Sequence, residues 1–96
     1  MSKVKLVSSG KRDIRPMVEA ALQNETLLLM SGIRQTEHNL RKFEAKYNMN
    51  TASFVSAYEN DEIGETEEFA EWIGEFRMLE RLTEKSEALK SIRFEN

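Results

Sequence analysis

The chain has 96 residues, 40% of them apolar and 32% charged, with no Cys and a formal net charge of -3. This length allows one small domain burying about 60 to 65% of its unfolded surface. The missing cysteine excludes disulfides, thiol catalysis and cysteine metal sites, and no apolar run nears the roughly 20 residues that span a bilayer.

Residues 1–12 read as a basic arm and 13–96 as a single helical domain. The arm carries Lys3, Lys5, Lys11 and Arg12 around Val4, Leu6 and Val7, and Ser8, Ser9 and Gly10 end any regular element there, so at most a short strand is expected. It lacks the hydrophobic stretch of a secretory signal, which points to a cytoplasmic protein.

Asp13 is placed to cap a helix with Pro16 in its first turn, where a missing N–H costs nothing. From Leu22 the positions 22, 26, 29, 33, 36, 40, 43 and 47 alternate steps of four and three and read Leu, Thr, Leu, Ile, Thr, Leu, Phe, Tyr, a heptad-type seam. An unbroken helix to Tyr47 would be roughly 50 Å long, with Gly32 the expected place for a bend. Leu27, Leu28, Leu29 and Met30 point all round this helix, so one neighbouring helix cannot cover them and a further layer is expected, from a second copy or another partner.

Asn48 tolerates the left-handed conformation that ends a helix, and Met49 can fold back onto the last turn. Thr51 is read as the cap of a short helix with Phe54, Val55 and Tyr58 inward, followed by a turn from Asn60 to Gly64. Thr66 caps the last helix, with Glu67 and Glu68 favourably placed at its N-terminal dipole. Phe69, Trp72, Ile73, Phe76, Leu79, Leu82, Leu89 and Ile92 recur at helical spacing to about Ile92. The expected fold is all-α, a long helical hairpin with a short intervening helix, dimerising into a helix bundle.

Charge is distributed unevenly: residues 1–48 sum to +4 and residues 49–96 to -7. Between Glu59 and Glu75 stand eight carboxylates and no Lys or Arg, with Phe69, Trp72 and Ile73 among them. An EF-hand does not account for them. Glu59, Asp61 and Gly64 fit positions 1, 3 and 6 of such a loop, but Ile63 stands at 5 and Ala70 at the bidentate position 12. Glu67, Glu71 and Glu75 share a helix face, as solvated helices commonly arrange. His38 has no second ligand beside it, and the serines lack any nucleophile context. No cofactor, metal or catalytic set is expected, and the chain reads as a non-enzyme.

An aromatic stripe is more often core than binding site, but an anionic collar around aromatics suits a basic protein, since charge steers encounter and buried aromatics hold the complex. The candidate partner-binding residues are Asp61, Glu62, Glu65, Glu68, Glu71 and Trp72. Lys3, Lys5, Lys11, Arg12 and Arg15 are candidates for nucleic-acid phosphates, as in a DNA-binding autoregulator.

The run Phe43, Glu44, Ala45, Lys46, Tyr47, Asn48, Met49, followed by Thr51, Phe54, Gly64, Glu71 and Trp72, resembles a family of small bacterial and archaeal antitoxin-like proteins. Members carry a Phe-Glu-x-Lys-Tyr-Gly-Met segment before a Ser or Thr cap, a Phe, an acidic turn with Gly, and a Glu-Trp pair. They are encoded beside small RNase toxins of the TumE-like kind. The likeness covers residues 40–82, with Asn48 in place of the usual Gly and glutamates where aspartates are common. It implies an all-helical fold and a role as the antitoxin component of a toxin–antitoxin pair.

Overall fold

A computed structural model describes the backbone of residues 3–5 and 13–95, and the side chains from 13 to 92. Helix α1 runs from Arg15 to Tyr47, α2 from Thr51 to Glu59 and α3 from Glu67 to Lys90. Ring contacts pair Tyr47 with Phe69 and Phe43 with Trp72, while Gly32 lies against Leu82. Numbers rise along α1 as they fall along α3, so the two long helices form an antiparallel hairpin with α2 across its closed end. Lys3–Lys5 (β1) pairs in parallel with Arg93–Glu95 (β2), Val4 opposite Phe94, at the open end. The expected helix to Ile92 therefore stops at Lys90, where the Ser91 hydroxyl donates to the Ala88 carbonyl at 2.8 Å.

The helix ends follow local chemistry. Asn48 adopts φ 50°, ψ 49°, and the Met49 N–H returns to the Glu44 carbonyl at 3.2 Å, closing α1 in a left-handed turn. The Thr66 hydroxyl accepts from the Phe69 N–H at 3.0 Å, capping α3. Two caps differ from expectation. Ile14, not Asp13, is the N-cap of α1, and the Asp13 carboxylate instead takes the Arg15 N–H at 3.0 Å from one residue further out. Asn50, not Thr51, caps α2 by accepting from the Ser53 N–H at 2.8 Å, and Thr51 is released for another task.

α1 is one helix through Gly32, without interruption. A Cβ at Gly32 would stand 3.3 Å from a Leu82 methyl, so this glycine serves close approach of α1 to α3. Buried Thr36 donates its hydroxyl to the Gly32 carbonyl at 2.8 Å, which satisfies a polar group in the seam.

The core is concentrated at the closed end. Leu40, Phe54, Val55, Trp72 and Ile73 are buried together, with Phe43, Tyr47, Met49, Ile63 and Phe69 packed around them. Near the open end of α1 only Leu29 is buried, whereas Met17, Leu27 and Leu28 are 63%, 65% and 61% exposed. Among the described residues, no helix is long and apolar enough to cross a membrane.

Candidate partner-binding surface

At the closed end one glutamate organises the junction of all three helices. Glu44 Oε2 accepts from the Thr51 N–H at 2.8 Å and from the Thr51 hydroxyl at 2.9 Å. The same hydroxyl accepts from Trp72 Nε1 at 3.1 Å, so a chain of hydrogen bonds runs from α3 through α2 to α1. Thr51→Val removes the acceptor of the buried indole N–H and one of the two donors to Glu44. We expect about 1 to 3 kcal/mol of lost stability in urea unfolding, largely restored by Thr51→Ser; an unchanged midpoint for the valine variant would contradict this role.

Trp72 has no exposed surface. It stacks on Phe54 with centroids 3.8 Å apart and planes 2° from parallel, and on Phe43 and Tyr47 at 5.5 and 5.7 Å. The aromatic anchor expected for a partner is therefore already used inside the fold, because the α2 crossing closes over a ring that the α3 pattern alone leaves open. Phe43, Glu44, Tyr47, Met49, Thr51, Phe54 and Trp72 all belong to this junction. The motif spacing is a prescription for closing the hairpin.

Glu68 is likewise engaged. Its carboxylate accepts from Lys46 Nζ, 2.7 Å from Oε2, and from the Tyr47 hydroxyl. These two hydrogen bonds, Lys46's first, hold the Glu68 carboxyl below its ordinary range. The same carboxylate raises the pKa of Lys46 and Tyr47. A lowered glutamate pKa contributes stability that is present above the unfolded value and lost as pH falls through the folded one. In the wild type, acidification below the usual glutamate range should weaken the fold, and Glu68→Gln should flatten that part of the pH–stability curve. Parallel curves for the two proteins would refute the assignment. Sequence reading missed this clasp, although the antiparallel register that pairs Tyr47 with Phe69 also brings Lys46 opposite Glu68.

An open groove of about 630 Å³ runs between α1 and α3, with Lys42, Lys46, Glu68, Glu71 and Met78 among its walls. Glu71 is exposed there, on the side of α3 that shares this groove with the α1 lysines. Glu75, further along, accepts from Asn39 at 3.2 Å.

Asp61, Glu62 and Glu65 form a different surface. All three are exposed on the turn between α2 and α3, and none has an ion-pair partner among the described residues. The turn is tied down by the Glu62 N–H to the Ala57 carbonyl at 2.9 Å, and by Ile63, which packs on the core. Asp61 supplies the left-handed residue at φ 55°; Gly64 does not have positive φ. Glu59 and Glu67 flank the turn, also exposed. The carboxylates point outward separately. Among the described residues no three His, Asp or Glu groups are arranged to hold a metal ion.

Of the basic candidates, Lys11 and Arg12 lie outside the described residues, and Lys3 and Lys5 fall in β1, where the backbone alone is described. Arg15 forms an ion pair with Asp13 at 3.0 Å, which offsets its charge toward phosphate. In comparison with known proteins, the chain matches no family model, no curated protein and no solved structure.

Proposed function

We propose that this chain is a non-enzymatic cytoplasmic protein that binds and neutralises a basic protein, the toxin of a toxin–antitoxin pair. The observation that carries the reading is the turn of Asp61, Glu62 and Glu65, three exposed carboxylates with no ion-pair partner among the described residues, on a backbone pinned by Ile63. Of the other candidates, Glu71 is exposed on α3 and can add to this surface, whereas Glu68 binds Lys46 and Tyr47, and Glu67 stands in the first turn of α3. The mechanism is occlusion, in which the turn occupies the cationic surface of the partner where RNA phosphates would sit. The motif around Glu44 and Trp72 supports that surface by holding α2 and α3 at a fixed angle. The resemblance of residues 40–82 to antitoxin-like proteins agrees with such a role.

The test is to search the neighbouring genes for a small basic protein and co-express it with this chain, followed by affinity capture and a growth assay. A stable complex that relieves toxicity is the expected result; a chain that neither binds the basic protein nor relieves its effect would remove the proposal. The alternative is a self-associating structural or adaptor hairpin whose acidic face is only solvated, favoured by the exposed Leu27 and Leu28; a homodimer indifferent to basic proteins would establish it.

A further inference from the structure

The seam of α1 that meets α3 leaves the opposite side of this helix uncovered. At 100° per residue, Met17, Ala20, Ala21, Asn24, Leu27, Leu28 and Ser31 fall within an arc of about 120° facing away from α3. All seven are exposed, and none is charged. Their spacing of three, one, three, three, one and three is that of a helix-packing stripe, here on the far side of a helix whose other face is already packed. Charged neighbours such as Glu19, Glu25 and Arg34 lie outside the arc. A basic protein or a nucleic acid recognised by charge finds nothing to pair with here.

We infer that this stripe is the interface for a second copy of the chain, paired antiparallel through α1 about a two-fold axis at Asn24. Self-complementarity of the stripe carries this assignment. In that arrangement residue i faces residue 48 minus i of the other copy, which sets Met17 against Ser31, Ala20 against Leu28, Ala21 against Leu27, and Asn24 against itself. Every large apolar side chain meets a small one, which lets the two helices approach closely. Parallel pairing would set leucine against leucine in one layer and alanine against alanine in the next, layers that want different distances between the helices. The two Asn24 amides can hydrogen-bond each other across the axis, and a single asparagine in an apolar stripe is a device that selects one register.

Charge favours the same arrangement. The carboxylate run from Glu59 to Glu75 sits at the closed end, and parallel pairing would bring both closed ends to the same end of the rod. Antiparallel pairing sends the two closed ends in opposite directions along the rod, leaving both acidic turns free. The stripe spans about 21 Å of helix, so the contact is small and self-association is expected at about micromolar concentration, the weak end for protein interfaces. This inference stands apart from the basic partner, which is assigned to the other end of the hairpin.

The test uses the full chain in sedimentation velocity over a hundredfold concentration range, with circular dichroism to check folding. Ala20→Leu adds apolar surface yet should raise the dimer dissociation constant at least tenfold, because two leucines then collide. The swap Ala20→Leu with Leu28→Ala should restore dimerisation, since each large residue again meets a small one. Because the chain has no cysteine, Met17→Cys and Ser31→Cys, mixed and oxidised, should cross-link to each other and not to themselves. Self-cross-linking of Met17→Cys would establish parallel pairing and overturn the inference. So would a wild-type monomer at every concentration, or stripe variants that lose only capture of the basic protein.

Discussion

Replacing Trp72 with alanine should cost about 3 to 5 kcal/mol, the range for deleting a large aromatic from a packed core. Small domains have about 5 to 15 kcal/mol in all, and most of the buried apolar residues of this one surround that ring. The loss is therefore expected to leave a substantial unfolded fraction in buffer, read by circular dichroism and urea titration. Trp72→Phe should cost less, because it keeps a ring against Phe54 while removing the indole N–H that Thr51 accepts. Trp72 is the sole tryptophan, so wild-type fluorescence reports this junction directly. If the alanine variant loses under 1 kcal/mol, the closed-end junction is not what holds the hairpin together.

Changing the acidic turn should leave the fold intact and abolish its electrostatic attraction for a basic partner. The appropriate variant is Asp61→Asn with Glu62→Lys and Glu65→Lys. Asp61 occupies the left-handed region, which asparagine tolerates and lysine does not favour. Rim charges act mainly on association rate and are worth up to about 1 kcal/mol each when exposed. Three altered sites, two of them reversed in sign, should weaken capture of the basic protein about 10- to 100-fold. Wild-type binding should also fall as salt rises, since the screening length shortens from about 10 Å at 0.1 M to 3 Å at 1 M. Unchanged affinity in surface plasmon resonance, with a circular dichroism spectrum like wild type, would remove the turn from the interface.

The two experiments separate the residues that build the closed end from those it presents. Glu44, Thr51, Trp72, Lys46 and Glu68 hold helices to one another, while Asp61, Glu62 and Glu65 face outward. In a linear sequence both groups look alike, as aromatics and carboxylates interleaved over a few turns. Lys46 and Glu68 show why: each is an ordinary charged residue on its own helix, and their pairing exists only in the antiparallel register.

What the chain determined by itself was local. Heptad spacing from Leu22 to Tyr47, the left-handed Asn48, the Thr66 cap and the apolar period of α3 are set by interactions within a few residues, so the helical hairpin was legible. Cap positions shifted by one residue, to Ile14, which makes no side-chain cap hydrogen bond, and to Asn50, whose side-chain oxygen takes the Ser53 N–H while the Thr51 hydroxyl turns to Glu44. The tertiary structure alone decided that Trp72 is enclosed, that Thr51 bonds across helices instead of capping, and that β2 follows α3. Each depends on a distant partner: 18 and 21 positions away for the indole's ring and N–H, 7 for the threonine and nearly the whole chain for the strand. Periodicity shows which side of a helix is apolar, but only the packed neighbours show how much of that side is already taken.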